Sequence, residues 1–273
     1  MSEANQLLPF LNDHLENDNG FKLVPYYENI FGRYEDHLNN KYNKNEDLNA
    51  IMSLLNHYET IVEIGAGTGR LINKIKSKCD HYIAVEPTRH GCKVIEESNF
   101  ENVTIYNGEF KQFSDEITQK YECIIIGSLT INLFDEDKID ELIENIDSLL
   151  VEGGSLILGV FDESAIENFK PYTGMVKDSV SIELFDDGSN GRQLVHNYMR
   201  FIPEKRLVVQ NWLTEVDNKT TYIATQLERI WTLDEISEYF ESWSFKMADK
   251  AKFQILGGGA DGETAFMCRF EKL

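Results

Sequence analysis

The chain has 273 residues, long enough for one large domain or for a domain with an insertion, and 42% of them are hydrophobic. Its formal net charge of −21 disfavours nucleic acid as a partner, because such affinity depends on clustered Lys and Arg side chains that neutralise phosphates. No apolar run approaches about 18 residues and the N-terminus lacks the basic and apolar sections of a signal peptide, so we expect no membrane span, no secretion and a cytoplasmic location. The cysteines have no C-x-x-C spacing and predict buried thiols rather than disulfides or a metal site: Cys79, Cys92, Cys123 and Cys268.

The N-terminal part of the chain predicts helices. Residues 1–24 are polar with a few leucines and predict one short helix around Asn5 to Glu16. In residues 24–37 aromatic and aliphatic side chains recur at three- and four-residue steps, which predicts a helix with one aromatic face. Residues 46–58 have the same periodicity and predict an amphipathic helix that leads into the first strand.

From residue 60 to residue 161 strand patterns alternate with helix patterns. This alternation predicts an α/β fold with a parallel sheet, right-handed crossovers and helices on both faces. In such sheets ligands bind beyond the carboxyl ends of the strands. The predicted strands are Thr60 to Ile64, Tyr82 to Val85, Val103 to Tyr106, Tyr121 to Ile126 and Ser155 to Phe161. The predicted helices are Arg70 to Lys78, Thr88 to Ser98 and Glu136 to Leu150.

A glycine-rich turn follows the first of these strands. Its glycines, Gly65, Gly67 and Gly69, allow a tight turn and let the backbone approach a ligand closely. A dinucleotide fingerprint would need a glycine or alanine where this chain has Arg70. Glu86 stands at the carboxyl end of the second strand, where an acidic side chain can accept hydrogen bonds from both hydroxyls of a ribose.

The pattern E-x-G-x-G-x-G, with Glu63 as its acid and Glu86 on the next strand, resembles motif I of the class I S-adenosylmethionine (SAM) dependent methyltransferases. The resemblance implies a Rossmann-like, seven-stranded methyltransferase fold and SAM as the cofactor. It also implies that an acid after the third strand accepts from the adenine amino group and that the loop after the fourth strand passes along the methionine part. The positions implied to bind the cofactor in this core are Glu63, Gly65, Ala66, Gly67, Gly69, Arg70, Glu86, Pro87, Gly108, Glu109, Phe110, Gly127, Ser128 and Leu129.

A second resemblance lies in the aromatic N-terminal segment. Its combination Tyr-x-x-Ile-Phe-Gly-Arg-x-x-Asp is similar to the lid segment of small-molecule N-methyltransferases, including those that act on nucleotide-linked amino sugars. In that family tyrosines and an arginine of the segment close over SAM. The chain departs from the pattern at His37, where the relatives often carry tyrosine. The matching positions are Tyr26, Tyr27, Arg33 and Tyr34.

The residues after the fourth strand, 127–134, narrow the class of acceptor. They contain neither the Asn/Asp-Pro-Pro-aromatic motif of enzymes that methylate amino groups of nucleic-acid bases nor the Pro-Cys of cytosine C5 enzymes. Gly127 and Ser128 also provide no carboxylate of the kind that metal-dependent catechol-type O-methyltransferases place there. The sequence therefore predicts a small-molecule acceptor, no nucleic acid and no metal.

Beyond residue 161 the pattern changes to long β-prone segments separated by turn signals, which predicts an antiparallel sheet inserted after the fifth strand. The predicted strands are Ser179 to Asp186, Gln193 to Ile202, Arg206 to Val216 and Thr220 to Trp231. A helix from Leu233 to Ser242 and two strands, Phe245 to Leu256 and Thr264 to Phe270, complete the core. The predicted divisions are a lid segment (1–58), a SAM-binding core (59–162), the insertion (163–231) and the end of the core (232–273).

In the N-methyltransferases that this chain resembles, a comparable sheet roofs the active site. Strand alternation places His196, Tyr198 and Arg200 on one face of a strand, which is either a solvent face or the lining of a pocket. His196 is the candidate general base, because an unperturbed imidazole titrates near neutral pH. The candidate acceptor contacts are Tyr198, Arg200, Trp212 and Glu228.

Taken together, the sequence predicts SAM-dependent methyl transfer to a nitrogen or oxygen of a small-molecule acceptor, by a monomer or homodimer. Two alternatives stay open: a methyltransferase for a protein or carrier-tethered acceptor, and a non-catalytic, regulatory SAM-binding protein. A nicotinamide-dependent oxidoreductase is disfavoured by Arg70.

Overall fold

The computed structural model describes residues 21–25, 31–32, 45–173, 176–186, 189–216, 220–255 and 264–273. The chain divides into two compact units, each built from two stretches of sequence. The smaller unit comprises Met1–Lys41 and Ile166–Arg229, and the larger comprises Tyr42–Ala165 and Ile230–Leu273. The glycine-rich turn and Glu86 belong to the larger unit.

The larger unit contains a seven-stranded sheet with the order β11-β12-β6-β5-β2-β3-β4. The strands β4, β3, β2, β5 and β6 are parallel, and β12 runs antiparallel to both β6 and β11. This topology confirms the predicted Rossmann-like α/β fold. The strands are β2 (Tyr58–Ile64), β3 (Cys79–Glu86), β4 (Val103–Asn107), β5 (Tyr121–Ile126), β6 (Leu150–Phe161), β11 (Phe245–Gln254) and β12 (Thr264–Lys272).

Helices cover both faces of this sheet because its central strands are apolar on both sides. Along β5, Ile124 and Ile126 pack in one hydrophobic cluster and Cys123 and Ile125 in the other, and all four are fully buried. The alternating direction of successive side chains puts the two pairs on opposite faces. The helices of this unit are Glu46–Leu54, Ile72–Ile75, Arg89–Glu97, Phe110–Glu116, Ile139–Leu149 and Leu233–Ser242.

Some local predictions about this unit were wrong in their bounds, and one helix was missed. The helix expected from Arg70 begins only at Ile72, because the left-handed turn persists to Gly69, whose φ is +80°. The helix Phe110–Glu116 was not predicted at all. The strand expected from residue 155 begins at Leu150, and a bulge opposite β5 accommodates the intervening residues.

The smaller unit contains a five-stranded sheet with the order β1-β10-β9-β8-β7. Its last four strands in sequence form the predicted antiparallel meander. The strand β1 was not predicted, and it adds parallel to β10 at the sheet edge. A helical segment, Ala165–Phe169, precedes the meander, and the rings of Phe169 and Phe201 lie 5.7 Å apart. The strands are β1 (Phe21–Leu23), β7 (Val176–Asp186), β8 (Ser189–Ile202), β9 (Leu207–Val216) and β10 (Thr220–Arg229).

Candidate functional site

The glycine-rich turn is anchored to the neighbouring strand β3. The backbone N–H groups of Gly65 and Ala66 donate to the carbonyl oxygen of Val85 at 2.9 and 3.2 Å. All three glycines of the turn have left-handed φ angles, +71° at Gly65, +57° at Gly67 and +80° at Gly69. Since residues with a Cβ rarely adopt this conformation, the turn needs glycine at these positions.

Glu86 lies directly against this turn at the end of β3. Its Oε2 accepts from the backbone N–H of Gly67 at 2.8 Å, and its Oε1 accepts from the N–H and the hydroxyl of Thr88 at 2.8 and 2.6 Å. The residue is only 4% exposed. The structure therefore brings the predicted acid and the glycine turn together, with three donors holding the carboxylate in place.

Gly91 is a site residue that the sequence did not indicate. A Cβ on Gly91 would lie 2.4 Å from the carbonyl oxygen of Gly67 and 2.9 Å from the Glu86 side chain. Its N–H donates to the Thr88 hydroxyl, which caps the helix Arg89–Glu97. Only a glycine lets the first turn of this helix approach the glycine-rich turn so closely. The sequence alone does not show this contact, because Gly91 stands inside an ordinary helix pattern.

Glu63, the acid of the motif, is buried beneath the turn. Its Oε2 accepts from the Tyr82 hydroxyl at 2.7 Å. Burial raises the pKa of this carboxyl to about 8, an effect that the hydrogen bond from Tyr82 and the charge of Arg70 only partly oppose. Glu63 is therefore largely protonated at neutral pH.

Arg70, predicted to bind the cofactor, is engaged by an acid outside the predicted set. Its guanidinium donates to both carboxylate oxygens of Asp47, at 2.9 and 2.5 Å. Burial opposes the charge of Arg70, but the bonds to Asp47 raise its pKa. Asp47 belongs to the helix Glu46–Leu54 and is 5% exposed, so this pair ties that helix to the glycine-rich turn.

The segment after β4 completes the same edge of the sheet. The Gly108 N–H donates to the Glu86 carbonyl oxygen at 3.1 Å, and the Asn107 side chain donates to the carbonyl oxygens of Glu86 and Pro87. Glu109 is exposed and precedes the helix Phe110–Glu116, whose Gln112 accepts from the Glu109 N–H at 3.0 Å. Phe110 is buried in the core, with its ring 6.2 Å from that of Phe113.

The loop after β5 packs tightly between its neighbours. A Cβ on Gly127 would lie 2.5 Å from Leu71, and a Cβ on Gly65 would lie 3.0 Å from Thr130. Ser128 has a left-handed φ of +52°. A Cβ on Gly159 of β6 would lie only 1.8 Å from the Ser128 carbonyl oxygen, so this glycine permits the path of the loop.

The predicted acceptor residues divide between the two faces of the smaller sheet. Tyr198 pairs with Asn211 across β8 and β9, whereas Trp212 pairs with Asn197. Directly opposite residues share a face and alternate residues do not. His196, Tyr198 and Arg200 therefore lie on one face, and Trp212 lies on the other. Glu228 pairs with Val208, which shares the face of Trp212, so the five residues do not form one contact set.

Glu228 takes part in a network of amide side chains on that second face. Its Oε1 accepts from Gln210 at 3.0 Å and from Gln226 at 2.6 Å. Asn197 in turn donates to Gln210 at 3.1 Å. On the first face, the His196 and Tyr198 rings lie 6.4 Å apart. The predicted lid residues Tyr26, Tyr27, Arg33 and Tyr34 lie outside the described residues.

The edge formed by the glycine-rich turn has the features of a nucleoside-binding site. A Cβ built on Gly67 has no atom of the described residues within 4 Å, so these residues leave the space before the turn open. Glu86 is fixed beside that space by the same Gly67. An open backbone turn beside a buried carboxylate is suited to binding a ribose that donates two hydroxyls.

The described part of the chain contains no group of three or more His, Cys, Asp or Glu residues arranged to hold a metal ion. None of its helices is long and apolar enough to cross a bilayer.

Comparison with known proteins gives the same assignment for the core. Residues 61–154 match the family model described as a methyltransferase domain. An uncharacterized methyltransferase of Bacillus cytotoxicus is 28% identical over 131 residues, which make up 48% of this chain and 55% of that relative. The chain thus spans about half the length of the curated relatives it matches.

Several solved structures share the fold. The chain aligns with a SAM-dependent methyltransferase from Clostridium acetobutylicum at a TM-score of 0.64 and 14% identity, over 89% of this chain and 99% of that one. It aligns with DesVI of Streptomyces venezuelae at 0.62 and 11% identity, over 90% and 100%. It aligns with SAM-bound CalS10, an amino pentose methyltransferase from Micromonospora echinaspora, at 0.51 and 14% identity, over 79% and 84%. Residues 61–154 therefore resemble a methyltransferase domain, and the chain shares its fold with SAM-dependent methyltransferases of known structure.

Proposed function

We propose that this chain transfers a methyl group from SAM to a nitrogen or oxygen of a small-molecule acceptor. The observation that carries the proposal is the buried Glu86 carboxylate, held against the glycine-rich turn through Gly67 at 2.8 Å. A carboxylate at this place can accept from both ribose hydroxyls of the cofactor. Binding of a nucleoside would explain why a buried carboxylate lies beside an open turn. Stability of the fold alone does not require the turn to be open.

The remaining core residues have proposed roles along the cofactor. The backbone of residues 127–129 would pass along the methionine part, and Glu109 would accept from the adenine amino group beside Phe110. Glu63 would lie below the methionine end, since its Oε1 is 3.2 Å from the place of a Cβ on Gly127. In the lid segment, Tyr26, Tyr27, Arg33 and Tyr34 are proposed to close over SAM, as the family resemblance implies.

SAM supplies a sulfonium methyl group that is already activated for displacement. The protein must therefore hold the acceptor atom in line, about 3 Å from the methyl carbon, and exclude water. An amine only has to arrive deprotonated, whereas a hydroxyl needs a base or a depressed pKa. The proposed base is His196, and it is needed only for a hydroxyl acceptor.

The fold similarity to an amino pentose methyltransferase supports testing amines first. The net charge of −21 also suits a cationic or neutral acceptor better than an anionic one. The acceptor proposed for the first screen is therefore a small amine, followed by phenols.

Isothermal titration with SAM and, separately, with NAD tests the cofactor half of the proposal. Micromolar binding of SAM without binding of NAD is expected, and the reverse would refute it. A screen for S-adenosylhomocysteine release with small amines and phenols tests the acceptor half. Turnover only with protein or carrier-tethered acceptors would replace the small-molecule proposal. Tight SAM binding without turnover on any acceptor would favour a regulatory SAM-binding protein.

A further inference from the structure

The loop after β5 is fastened to the chain segment that returns to the core at residue 230. The side chain of Asn132 makes the central contact: its Oδ1 accepts from the Trp231 backbone N–H at 3.0 Å. Its Nδ2 donates to the Leu129 carbonyl oxygen at 3.0 Å, beside a 2.9 Å bond from its own N–H. Asn132 is 2% exposed, so both ends of its amide are used in the interior.

Trp231 adds two further links. Its indole Nε1 donates to the Phe134 carbonyl oxygen at 2.7 Å, beyond the far end of the short helix Thr130–Leu133. Its own carbonyl accepts from the Phe161 N–H at 3.1 Å, at the end of β6. Trp231 is 1% exposed. Asn132 and Phe134 are thus both bonded to Trp231, which is bonded in turn to the end of β6, and Leu129 is held through Asn132.

The loop has an unusual backbone conformation that these hydrogen bonds help to maintain. Ser128 is held in a left-handed conformation, and its carbonyl oxygen lies close above Gly159. A non-glycine residue in this conformation persists only when its surroundings impose it. The Asn132 side chain supplies that restraint from one side, because it holds the carbonyl of the adjoining Leu129. The amide of Asn132 has a donor and an acceptor, and the two reach both backbone partners at once.

We infer that Asn132 is a positioning residue for the methyl donor: it fixes the backbone of residues 127–129 against the methionine end of SAM. This inference rests on the proposed function, since it requires those residues to contact that end of the cofactor. Asn132 itself is buried behind the loop and acts through Leu129 and Trp231. The prediction is specific, because an altered loop affects the amino-acid end of SAM and leaves the proposed ribose contact at Glu86 and the proposed adenine contact at Glu109 intact.

Two ligands distinguish an effect on the amino-acid end of SAM from an effect on its nucleoside end. SAM carries the amino-acid part on a sulfonium sulfur, whereas 5′-methylthioadenosine has the same adenine and ribose, a neutral thioether sulfur and no amino-acid part. For Asn132→Leu we expect SAM to bind about tenfold more weakly, about 1.4 kcal/mol, with methylthioadenosine affinity unchanged. Trp231→Phe removes the Nε1 bond to Phe134 and part of a buried ring, but it keeps the backbone bonds to Asn132 and Phe161. It should act in the same direction but less strongly, and it also serves if the first variant does not fold.

Tyr58→Phe is the matched control. It removes one buried hydrogen bond, from Tyr58 to Ser155 at 3.1 Å, near the opposite end of the sheet, and should leave the affinities for both ligands unchanged. Equal weakening of both ligands in the Asn132 and Trp231 variants would overturn the inference in favour of a general structural role. Unchanged SAM affinity in both folded variants would overturn it as well. A wild-type protein that binds neither ligand would instead refute the proposed function.

Discussion

Replacement of Glu86 by alanine gives the sharpest test of the cofactor site. A carboxylate offers about four lone-pair positions, and three of those on Glu86 already accept from Gly67 and Thr88. Two ribose hydroxyls would need two positions, so at least one existing bond must be given up on binding. The net gain is then one hydrogen bond to a charged group.

One such bond contributes about 1.5–3 kcal/mol, which corresponds to roughly a 10- to 150-fold loss of SAM affinity in Glu86→Ala. Isothermal titration with SAM measures the loss, and thermal unfolding verifies that the variant is folded. Glu122→Ala is a suitable control, because Glu122 accepts a backbone hydrogen bond from Glu59 near the opposite edge of the sheet. A folded Glu86→Ala protein whose SAM affinity falls by less than about threefold would refute the assigned role.

Three further perturbations test other parts of the molecule. Gly159→Ala places a methyl group 1.8 Å from the Ser128 carbonyl oxygen, so we expect a loss of stability of about 1–3 kcal/mol and weaker SAM binding; unchanged melting temperature and affinity would contradict this. Burial raises the pKa of Glu63 to about 8, so between about pH 4.5 and 8 the folded state holds a proton that the unfolded state has released, and stability falls as pH rises through this window. Urea unfolding between about pH 4.5 and 8 should show a smaller decline in the free energy of unfolding for Glu63→Gln than for wild type. Equal declines in the two proteins would be evidence against a raised pKa of Glu63. His196→Ala and Glu228→Gln alter opposite sheet faces, so only one should change acceptor turnover strongly; comparable losses in both would contradict the division of faces.

The fold could be predicted because its signals are local and repeated. Apolar strands such as 121–126 and amphipathic helices alternate along the core, and each pattern is complete within a few residues. The glycine-rich turn was recognisable for the same reason, since three left-handed positions in five residues demand glycine. Glu86 followed from its place one strand further along.

Features that depend on contacts between distant segments could not be predicted. The strand β1 has only three residues, and its partner β10 begins about 200 positions later, so no local pattern indicates the pairing. Gly91 and Asn132 look ordinary in the sequence, and only the packed structure shows what each contacts. The faces of the smaller sheet are a related case. Alternation gives the faces of one strand, but the register between β8 and β9 decides that Trp212 and His196 lie on different faces of the sheet.

The placement of β12 has a consequence for the order in which the molecule can be assembled during synthesis. This strand lies between β6 and β11, although its residues, 264–272, are made after both of them. Until it emerges from the ribosome, the outer edge of β6 has no partner in the larger sheet, and the residues along that edge include the apolar Leu156 and Leu158. An open apolar edge is a template for pairing with other chains. The nascent protein therefore has an unprotected interval of more than one hundred residues, from the end of β6 to the start of β12, in which the half-built sheet is available to a chaperone or to another copy of itself.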